Sequence, residues 1–593
     1  MPPGEEYQSR LERWRARHGV LQRQFIQIGN WRLILGITEA ILAWLAFGAH
    51  VIAPWLLLIP LAAFVALVIW HLKVMRRRTF AERAIHYYER GLARLEDKWQ
   101  GTGNSGERFH NPAHPYAEDL DLFGRGSLFE LIASARTKAG EDTLASWLLS
   151  PATRADARAR QESVAELRSR LDLREEIALL GEDAKAELDV EATQTWATAP
   201  PVDFRPLIRV AALLLSIAGV VAILTFFAQV LPLWPVLLIL ACDFAVIFYL
   251  RSKVDRVTQV IDTPAQSLRI ISLLLQRLER EQFESPKLQS LSADLGIHGL
   301  PASKRIARLG HWIDWLDSSD HILVRLIRPI LLWREQIAMA VEAWRHKNGG
   351  LTVLWIKGIG EFEALSSFAS LAFERPAWCF PVFEESKRCW RADGLQHPLL
   401  SPSACVPNTI DFEGELQLLI VSGSNMSGKS TLLRSIGLNT VLAWAGGPVA
   451  AGAMQLSCVQ VASSMRVVDS LQDNRSRFYA EITRIRQIFE LLDDDRPVLF
   501  LLDELLSGTN SHDRLLGATG IVRNLVESGA MGLITTHDLA LADIERTLGS
   551  RSRNVHFDDR LVNGSIEFDY KLKPGIVTHS NALELMRAVG LEV

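Results

Sequence analysis

The chain has 593 residues, of which 48% are hydrophobic and 22% are charged, and its formal net charge is −4. At roughly 150 residues per domain, this length predicts about four structural units and excludes a single small domain. The charge excludes a globally basic nucleic-acid binder. The five cysteines form no CxxC pair, so a zinc ribbon or a disulfide framework is not expected and a reducing, cytoplasmic setting is favoured.

Four apolar stretches occur in two pairs. In the first pair, Trp31–Phe47 is followed by Val51–Trp70, which contains no charged residue. In the second pair, Val210–Ala228 is followed by Leu231–Leu250, which only Asp243 interrupts. A helix of about 20 apolar residues crosses a hydrocarbon core of about 30 Å. The sequence therefore predicts two helical hairpins that place four transmembrane helices in the lipid bilayer, although burial in a large soluble core is the alternative.

Basic residues flank both hairpins at their outer ends. They are Arg15, Arg17, Arg23, Arg32, Arg76, Arg77 and Arg78 around the first, and Arg205, Arg209, Arg251 and Lys253 around the second. Positive charge marks the cytoplasmic side of a span, which predicts a multi-pass protein of the cytoplasmic membrane whose soluble parts face the cytoplasm. The charged N-terminal stretch predicts no cleavable signal peptide. A transport role for the intramembrane carboxylates Glu39 and Asp243 is the less favoured interpretation.

Helical periodicity, apolar length and strand patterns divide the chain into six parts. Residues 79–205 and 252–347 carry helical apolar spacing, short β-rich runs are expected near Val353–Ile359 and Leu416, and strands alternate with helices from about residue 380. The expected parts are an N-terminal cytoplasmic helix (1–30), a first hairpin (31–75), a first helical core segment (79–205), a second hairpin (207–250), a second core segment (251–380) and an α/β domain (381–593).

A phosphate-binding pattern lies at the start of the α/β domain. The apolar run Leu416–Val421 predicts a buried strand, and Gly423-x4-Gly428-Lys429-Ser430 follows it and leads into a predicted helix. A glycine-rich turn between a strand and a helix N-terminus directs backbone N–H groups and the helix dipole at phosphate oxygens. In such a loop the lysine reaches the β- and γ-phosphates, and the serine hydroxyl ligates Mg²⁺. The fold class expected is therefore a helical core with transmembrane hairpins and a C-terminal P-loop domain.

Two further strand ends carry polar residues suited to nucleotide hydrolysis. The strand Val498–Leu502 ends in Asp503 and Glu504, and we expect it to lie beside the P-loop strand. Asp503 would then hold magnesium through water and Glu504 would orient or deprotonate the attacking water. The strand Gly532–Ile534 leads to His537, a candidate γ-phosphate sensor. A solvated strand cap and a structural histidine are the alternatives.

Several stretches resemble one known family. SGSNMSGKSTLLRSIGLNTVLAWAGGPVAA, SLQDNRSRFYAEI, LLDELLSGTNSHD and TTHD resemble the ATPase domain of MutS-type mismatch-repair proteins, which are relatives of ABC ATPases. Leu122–Pro151 resembles the opening of the MutS helical core, Ile359–Ala372 its long helix into the ATPase, and FDYKLKPGIVTHSNALELMRAVGL its C-terminal end. The chain is identified as a membrane-anchored, divergent member of this family.

The resemblance implies ATP and Mg²⁺ as cofactors and a set of site residues. It implies Asp503 and Ser430 as metal ligands, and Glu504, His537 and Lys429 as catalytic residues. Ser476 would contact the γ-phosphate bound by the opposite subunit of a homodimer. Tyr570 would stack on adenine, with Cys405 replacing a second aromatic residue. The implied phosphate-binding residues are Gly423, Ser424, Asn425, Met426, Ser427, Gly428, Lys429, Ser430 and Thr431.

The departures from the family decide the function expected. Phe80–Glu82 has the spelling of the family's mismatch-reading wedge, but it directly follows Arg76–Arg78 and lacks the surrounding domain. The first hairpin takes the place of the mismatch-reading and connector domains, and the second stands within the helical core and leaves little sequence for the DNA clamp, so mismatch recognition is not expected. We expect an ATP-driven dimeric clamp on double-stranded DNA or another partner at the inner face of the membrane. The alternatives are a transporter-like machine and a membrane scaffold that does not bind DNA.

Overall fold

The structure, a computed structural model, describes residues 1–187, 189–295, 301–317, 328–385, 388–465, 477–494, 496–507, 509–562 and 565–577. The chain forms two compact units. One comprises Met1–Gly103 with Leu171–Leu179, and the other comprises Asn104–Arg170 with Leu180–Val593.

The first unit is built on a long antiparallel helical hairpin. Helix α1 (Pro3–Phe47) is followed by a short 3-10 turn (Pro54–Leu57) and by α2 (Leu58–Leu95). Near the open end of the hairpin the Tyr7 ring lies so close to Gly91 that a Cβ there would be 2.6 Å from it. The expected boundaries at residues 30 and 75 fall inside α1 and α2. Hydropathy shows where the apolar side chains end, whereas the helical hydrogen bonding continues beyond them.

The segment Leu171–Leu179 belongs to this unit through a buried polar cluster. Glu175 accepts hydrogen bonds from Trp14 Nε1 at 2.8 Å, from Arg10 Nη1 at 3.1 Å and from the Tyr88 hydroxyl. Arg10 also pairs with Asp172. A buried carboxylate must be paired to be tolerated, so these contacts specify where the segment packs. The core segment expected at 79–205 is thus divided: residues 79–103 and 171–179 lie in the first unit.

The wedge-like spelling at Phe80–Glu82 lies inside α2. The Phe80 ring is 5.9 Å from the Trp14 ring, Ala81 is fully buried, and Glu82 pairs with Arg78 and His18. These contacts hold the three residues within the hairpin.

The second unit begins with a helical core. Its early helices start at side-chain caps, since the hydroxyls of Ser127, Thr137 and Thr153 each accept a hydrogen bond from a first-turn backbone N–H. The helices are α3 (Leu128–Ile132), α4 (Lys138–Leu149), α5 (Arg154–Arg168), α6 (Leu171–Glu187, shared with the first unit), α7 (Val190–Thr198), α8 (Pro206–Phe227), α9 (Trp234–Thr258), α10 (Asp262–Leu278), α11 (Pro286–Leu295), α12 (Ala302–Asp317) and α13 (Trp333–Glu374).

The 42-residue helix α13 contains the run expected to be β-rich. Val353–Ile359 is wholly helical, so that expectation is wrong. Within and beyond it the buried residues Thr352, Trp355, Ile359 and Phe362 recur at three- and four-residue spacing. Packing of this helical face against the core outweighs the local β-propensity of valine, isoleucine and tryptophan.

Four helices among the described residues are long and apolar enough to cross a membrane. They are Pro3–Phe47, Pro54–Leu95, Pro206–Phe227 and Trp234–Thr258, and they correspond to the two hairpins expected from the sequence.

The C-terminal part of the second unit is an α/β domain, which confirms a helical protein ending in an α/β region. A four-stranded sheet has the order β1-β5-β2-β3, and a six-stranded sheet has the order β10-β9-β4-β8-β7-β6. In the six-stranded sheet all neighbours are parallel except β9 and β10. The strands are β1 (Val382–Phe383), β2 (Trp390–Leu395), β3 (Asn408–Phe412), β4 (Leu418–Ser422), β5 (Ala453–Leu456), β6 (Gln460–Ser464), β7 (Val498–Leu502), β8 (Met531–Thr536), β9 (Ser552–Val562) and β10 (Ser565–Pro574).

Helices connect the parallel strands of the larger sheet. They are α14 (Lys429–Ala445), α15 (Arg477–Glu490), α16 (Ser511–Glu527), α17 (Leu539–Ala542) and α18 (Ile544–Leu548). Strand β7, which ends at Asp503, does not lie beside the P-loop strand β4, and this expectation is wrong. Strand β8 lies between them, pairing Ile534 with Ile420 on one side and with Leu502 on the other. All six residues of β8 are buried, as a central strand requires.

Candidate nucleotide-binding site

The loop from Gly423 to Gly428 connects β4 to α14. Gly428 has a φ of +104°, a left-handed conformation that favours glycine, and a Cβ there would lie 3.3 Å from the Tyr570 ring. Met426 adopts a φ of +69° and its side chain is 86% exposed. The hydroxyls of Ser424 and Ser427 are buried without a hydrogen-bond partner among the described residues. Unpaired hydroxyl groups in such a loop fit a site built for an anion.

Lys429 folds back over this loop. Its Nζ donates hydrogen bonds to the carbonyl oxygens of Gly423 and Ser424, both at 2.8 Å. Burial lowers the pKa of the Lys429 ammonium group, whereas the negative charges of Glu504 and Asp503 raise it. The two hydrogen bonds hold the ammonium group against the loop, where it would contact a bound phosphate chain.

The hydroxyl of Ser430 and the carboxylate of Asp503 meet across the strand between them. Ser430 Oγ donates to Asp503 Oδ2 at 2.6 Å, and the Thr535 hydroxyl donates to Asp503 Oδ1. A hydroxyl and a carboxylate are oxygen ligands of the kind Mg²⁺ prefers. The contact exists because strands β4, β8 and β7 end at the same edge of the sheet, as parallel strands do.

Glu504 adopts an uncommon backbone conformation at the same edge. Its φ is +48°, and its backbone N–H donates to Thr535 Oγ1 at 3.0 Å. Its Oε1 lies 3.5 Å from His537 Nδ1, and the His537 side chain is 49% exposed. A non-glycine residue at positive φ is often found at functional sites, where neighbouring contacts hold it. Here Thr535 supplies that contact to the Glu504 backbone.

A cavity of 540 Å³ lies over the loop. Its walls include predicted site residues from the P-loop, the acidic strand end and the last hairpin: Asn425, Met426, Gly428, Lys429, Ser430, Thr431, Glu504 and Tyr570. Cys405 also lines it. Asp503 and His537 contact these residues without lining the cavity, and Ser476 lies outside the described residues. The structure therefore gathers the predicted residues into one site, apart from Ser476.

Two side chains that sequence reasoning missed help to shape the cavity. Asn408 Nδ2 donates to the Tyr570 carbonyl at 3.0 Å, and Asn408 Oδ1 accepts from the Leu572 N–H at 2.8 Å. These bonds hold Tyr570, whose φ is +51°, within the irregular register between Phe568 and Leu572. The sequence feature that could have pointed to Asn408 is its position at the first residue of β3. An asparagine side chain at such a position can form hydrogen bonds with the backbone of another segment.

His397 is the second. Its backbone N–H donates to Cys405 Sγ at 3.3 Å, and its Nδ1 accepts from the Leu399 N–H at 3.2 Å. Burial, with the nearby Arg434 guanidinium, lowers the pKa of His397 to about 4. The imidazole is therefore uncharged at neutral pH, and no sequence pattern marks it.

Residues 419–592 match the family model described as MutS domain V. This match supports membership of the MutS family. The chain is 28% identical over 284 residues to a DNA mismatch repair protein MutS of Natronomonas pharaonis, which is 46% of this chain and 31% of that protein. It is 29% identical over 275 residues to an Endonuclease MutS2 of Brevibacillus brevis, covering 44% of this chain and 32% of that protein.

The chain thus matches about a third of the length of these curated MutS relatives. The MutS domain V match contains the P-loop, both acids, His537 and Tyr570. His397, Cys405 and Asn408 precede its first residue, although they line or shape the same cavity.

Proposed function

We propose that the chain is a membrane-anchored, MutS-like ATPase that binds ATP with Mg²⁺ and hydrolyses it. One observation carries this proposal: Lys429, Ser430, Asp503 and Glu504 come together at one edge of a parallel sheet, over a cavity of 540 Å³. MutS-family proteins are ATPases, which supports the same activity.

Each residue has a separable task in this proposal. The P-loop N–H groups and Lys429 bind the phosphate chain, and Ser430 with Asp503 would hold the magnesium ion. Bound magnesium would neutralise charge that develops on the phosphate oxygens. Glu504 would accept a proton from, or orient, the attacking water. His537, whose Nδ1 lies 3.5 Å from Glu504 Oε1, would contact the terminal phosphate.

A homodimer acting on double-stranded DNA is the wider proposal. The name of the Natronomonas pharaonis relative refers to DNA mismatch repair. The resemblance of the sequence around Ser476 to the family implies that this serine would complete the site of the opposite subunit. The four long apolar helices would anchor the chain in the cytoplasmic membrane, with the α/β domain in the cytoplasm. Binding to duplex, mismatched and branched DNA, with and without ATP, tests the DNA part. Affinity that does not fall with increasing salt would contradict a DNA clamp.

The ATPase proposal is tested with two variants that separate binding from hydrolysis. Lys429→Ala should abolish ATP binding, because the ammonium group that holds the phosphates is removed. Glu504→Gln should bind ATP and fail to hydrolyse it, because the amide cannot accept a proton from water. The matched controls are Lys347→Ala and Glu527→Gln, which change exposed residues away from the site. Full hydrolysis by Glu504→Gln would exclude Glu504 as the base.

A second candidate, ATP-driven movement of the second hairpin, is favoured by the contacts of α13. At its start, Gln336 Nε2 donates to Ser216 Oγ of α8 at 2.8 Å. Near its end, the Phe368 ring lies so close to Gly447, just beyond the P-loop helix, that a Cβ there would be 2.6 Å away. One continuous helix therefore contacts the hairpin and the end of the P-loop helix. An ATP-dependent change in crosslinking between α8 and α9 would support this candidate.

A further inference from the structure

A groove lies between one face of α9 and the start of α13, and we call it the arginine groove. It has a volume of 690 Å³. It is lined by the α9 residues Phe244, Ala245, Ile247, Phe248, Arg251, Val254 and Asp255, and by Arg328, Arg334 and Glu335. Its walls therefore change from apolar to charged along its length.

The apolar wall lies on the part of α9 that is apolar enough to cross a membrane. Phe244 and Phe248 are one helical turn apart on the same face, and they are 60% and 81% exposed. From Phe244 to Arg251, α9 rises by about 10 Å. A phospholipid with its phosphate at the level of Arg251 would have the upper part of an acyl chain at the level of the phenylalanine rings.

The charged end holds three guanidinium groups and two carboxylates. Arg334 is engaged, since it bonds to Asp255 Oδ1 at 3.0 Å and to Thr258 Oγ1 at 2.7 Å. Arg251 lies 3.9 Å from Asp255, and its side chain is 76% exposed. Three guanidinium groups against two carboxylates leave one excess positive charge. Because Arg334 is paired with Asp255, Arg251 and Arg328 are the groups on which an anion would lie.

Tertiary packing fixes the wall that carries Arg328 and Arg334. Ile330 packs so closely on Gly219 of α8 that a Cβ there would lie 3.1 Å from the Ile330 side chain. Leu332 is fully buried in a cluster with Ala212 and Met339. The start of α13 is thus held against the second hairpin, and the groove is part of the folded structure.

We propose that the arginine groove binds one anionic phospholipid, with its phosphate on Arg251 and Arg328 and an acyl chain against Phe244 and Phe248. The inference rests on the proposed membrane anchoring. Basic pockets at the cytoplasmic ends of transmembrane helices suit anionic headgroups. The apolar wall distinguishes this ligand from a soluble phosphate compound, which would leave both phenylalanine rings exposed.

The test compares lipid binding by the full chain purified in detergent. Native mass spectrometry measures adducts during titration with phosphatidylglycerol or phosphatidylcholine. The wild type should bind phosphatidylglycerol more tightly, and Arg251→Gln with Arg328→Gln should reduce its affinity by about thirtyfold, or about fivefold for each arginine. The matched control is Arg256→Gln, an equal charge change at an exposed α9 residue outside the groove.

Each outcome separates the lipid site from the anchoring on which it rests. Release of the wild type from membranes by alkaline carbonate would overturn the anchoring itself. An integral protein with equal affinity for the two lipids, or an equal loss per arginine in Arg256→Gln, would overturn only the lipid site. Displacement of phosphatidylglycerol by equimolar glycerol phosphate would show a soluble-anion site and would also overturn it.

Discussion

Thr535 gives the sharpest test of how the site is assembled. Its hydroxyl donates to Asp503 Oδ1 and accepts from the Glu504 N–H at 3.0 Å, and the residue is 1% exposed. Thr535→Val keeps the shape of the side chain and removes both hydrogen bonds. Glu504 then loses the contact that holds its backbone at a φ of +48°. We expect a loss of turnover with little loss of ATP binding, because Thr535 does not line the cavity.

The magnitude follows from the two bonds. A hydrogen bond to a charged group contributes about 1.5–3 kcal/mol, and an unsatisfied buried N–H costs about 1–3 kcal/mol. If misplacement of Glu504 removes about 2 kcal/mol of transition-state stabilisation, turnover drops about thirtyfold. The part that does not affect Glu504 lowers the stability of the α/β domain instead.

The assay measures kcat and the ATP dissociation constant separately on each variant. Thr535→Ser retains the hydroxyl and should retain most of the turnover. Thr519→Val is the matched control, since that hydroxyl bonds only to the Leu515 carbonyl within α16 among the contacts described. Wild-type turnover in Thr535→Val, or equal losses in Thr535→Val and Thr535→Ser, would refute the proposed role of the hydroxyl.

Three other predictions concern the dimer, pH and topology. Mixing Ser476→Arg with Lys429→Ala subunits should restore part of the ATPase activity that each lacks alone, and full activity of monomeric Ser476→Arg would exclude a shared site. Because folding lowers the pKa of His397 from 6.5 to about 4, the unfolded protein binds a proton at His397 at a higher pH than the folded protein does. The free energy of unfolding should therefore fall by a few kcal/mol as pH drops from 6.5 to 4, and less so in His397→Gln under urea titration. A single cysteine at Glu107, in a variant without other cysteines, should be labelled only from the cytoplasmic side, and labelling from outside would contradict the topology.

The sequence by itself determined the local features of this protein. The glycine spacing of the P-loop, the strand before it and the helix after it are set by neighbouring residues, and the structure has them as β4 and α14. Strand β7 has the predicted limits Val498–Leu502. The four apolar helices were also visible, because length and hydropathy are properties of continuous segments.

Tertiary structure decided what depends on residues far apart in the chain. Because β8 lies between β4 and β7, Thr535 bridges Asp503 and Glu504. The order of strands in a sheet cannot be predicted from the periodicity of a single segment. Asn408 reaches Tyr570 across 162 residues of sequence. Val353–Ile359 is helical because one face of α13 is buried. Leu171–Leu179 packs on the first hairpin because Glu175 is buried there with its hydrogen bonds satisfied by Arg10, Trp14 and Tyr88. In each case burial and the pairing of polar groups outweighed local propensity, and both arise only when distant segments pack together.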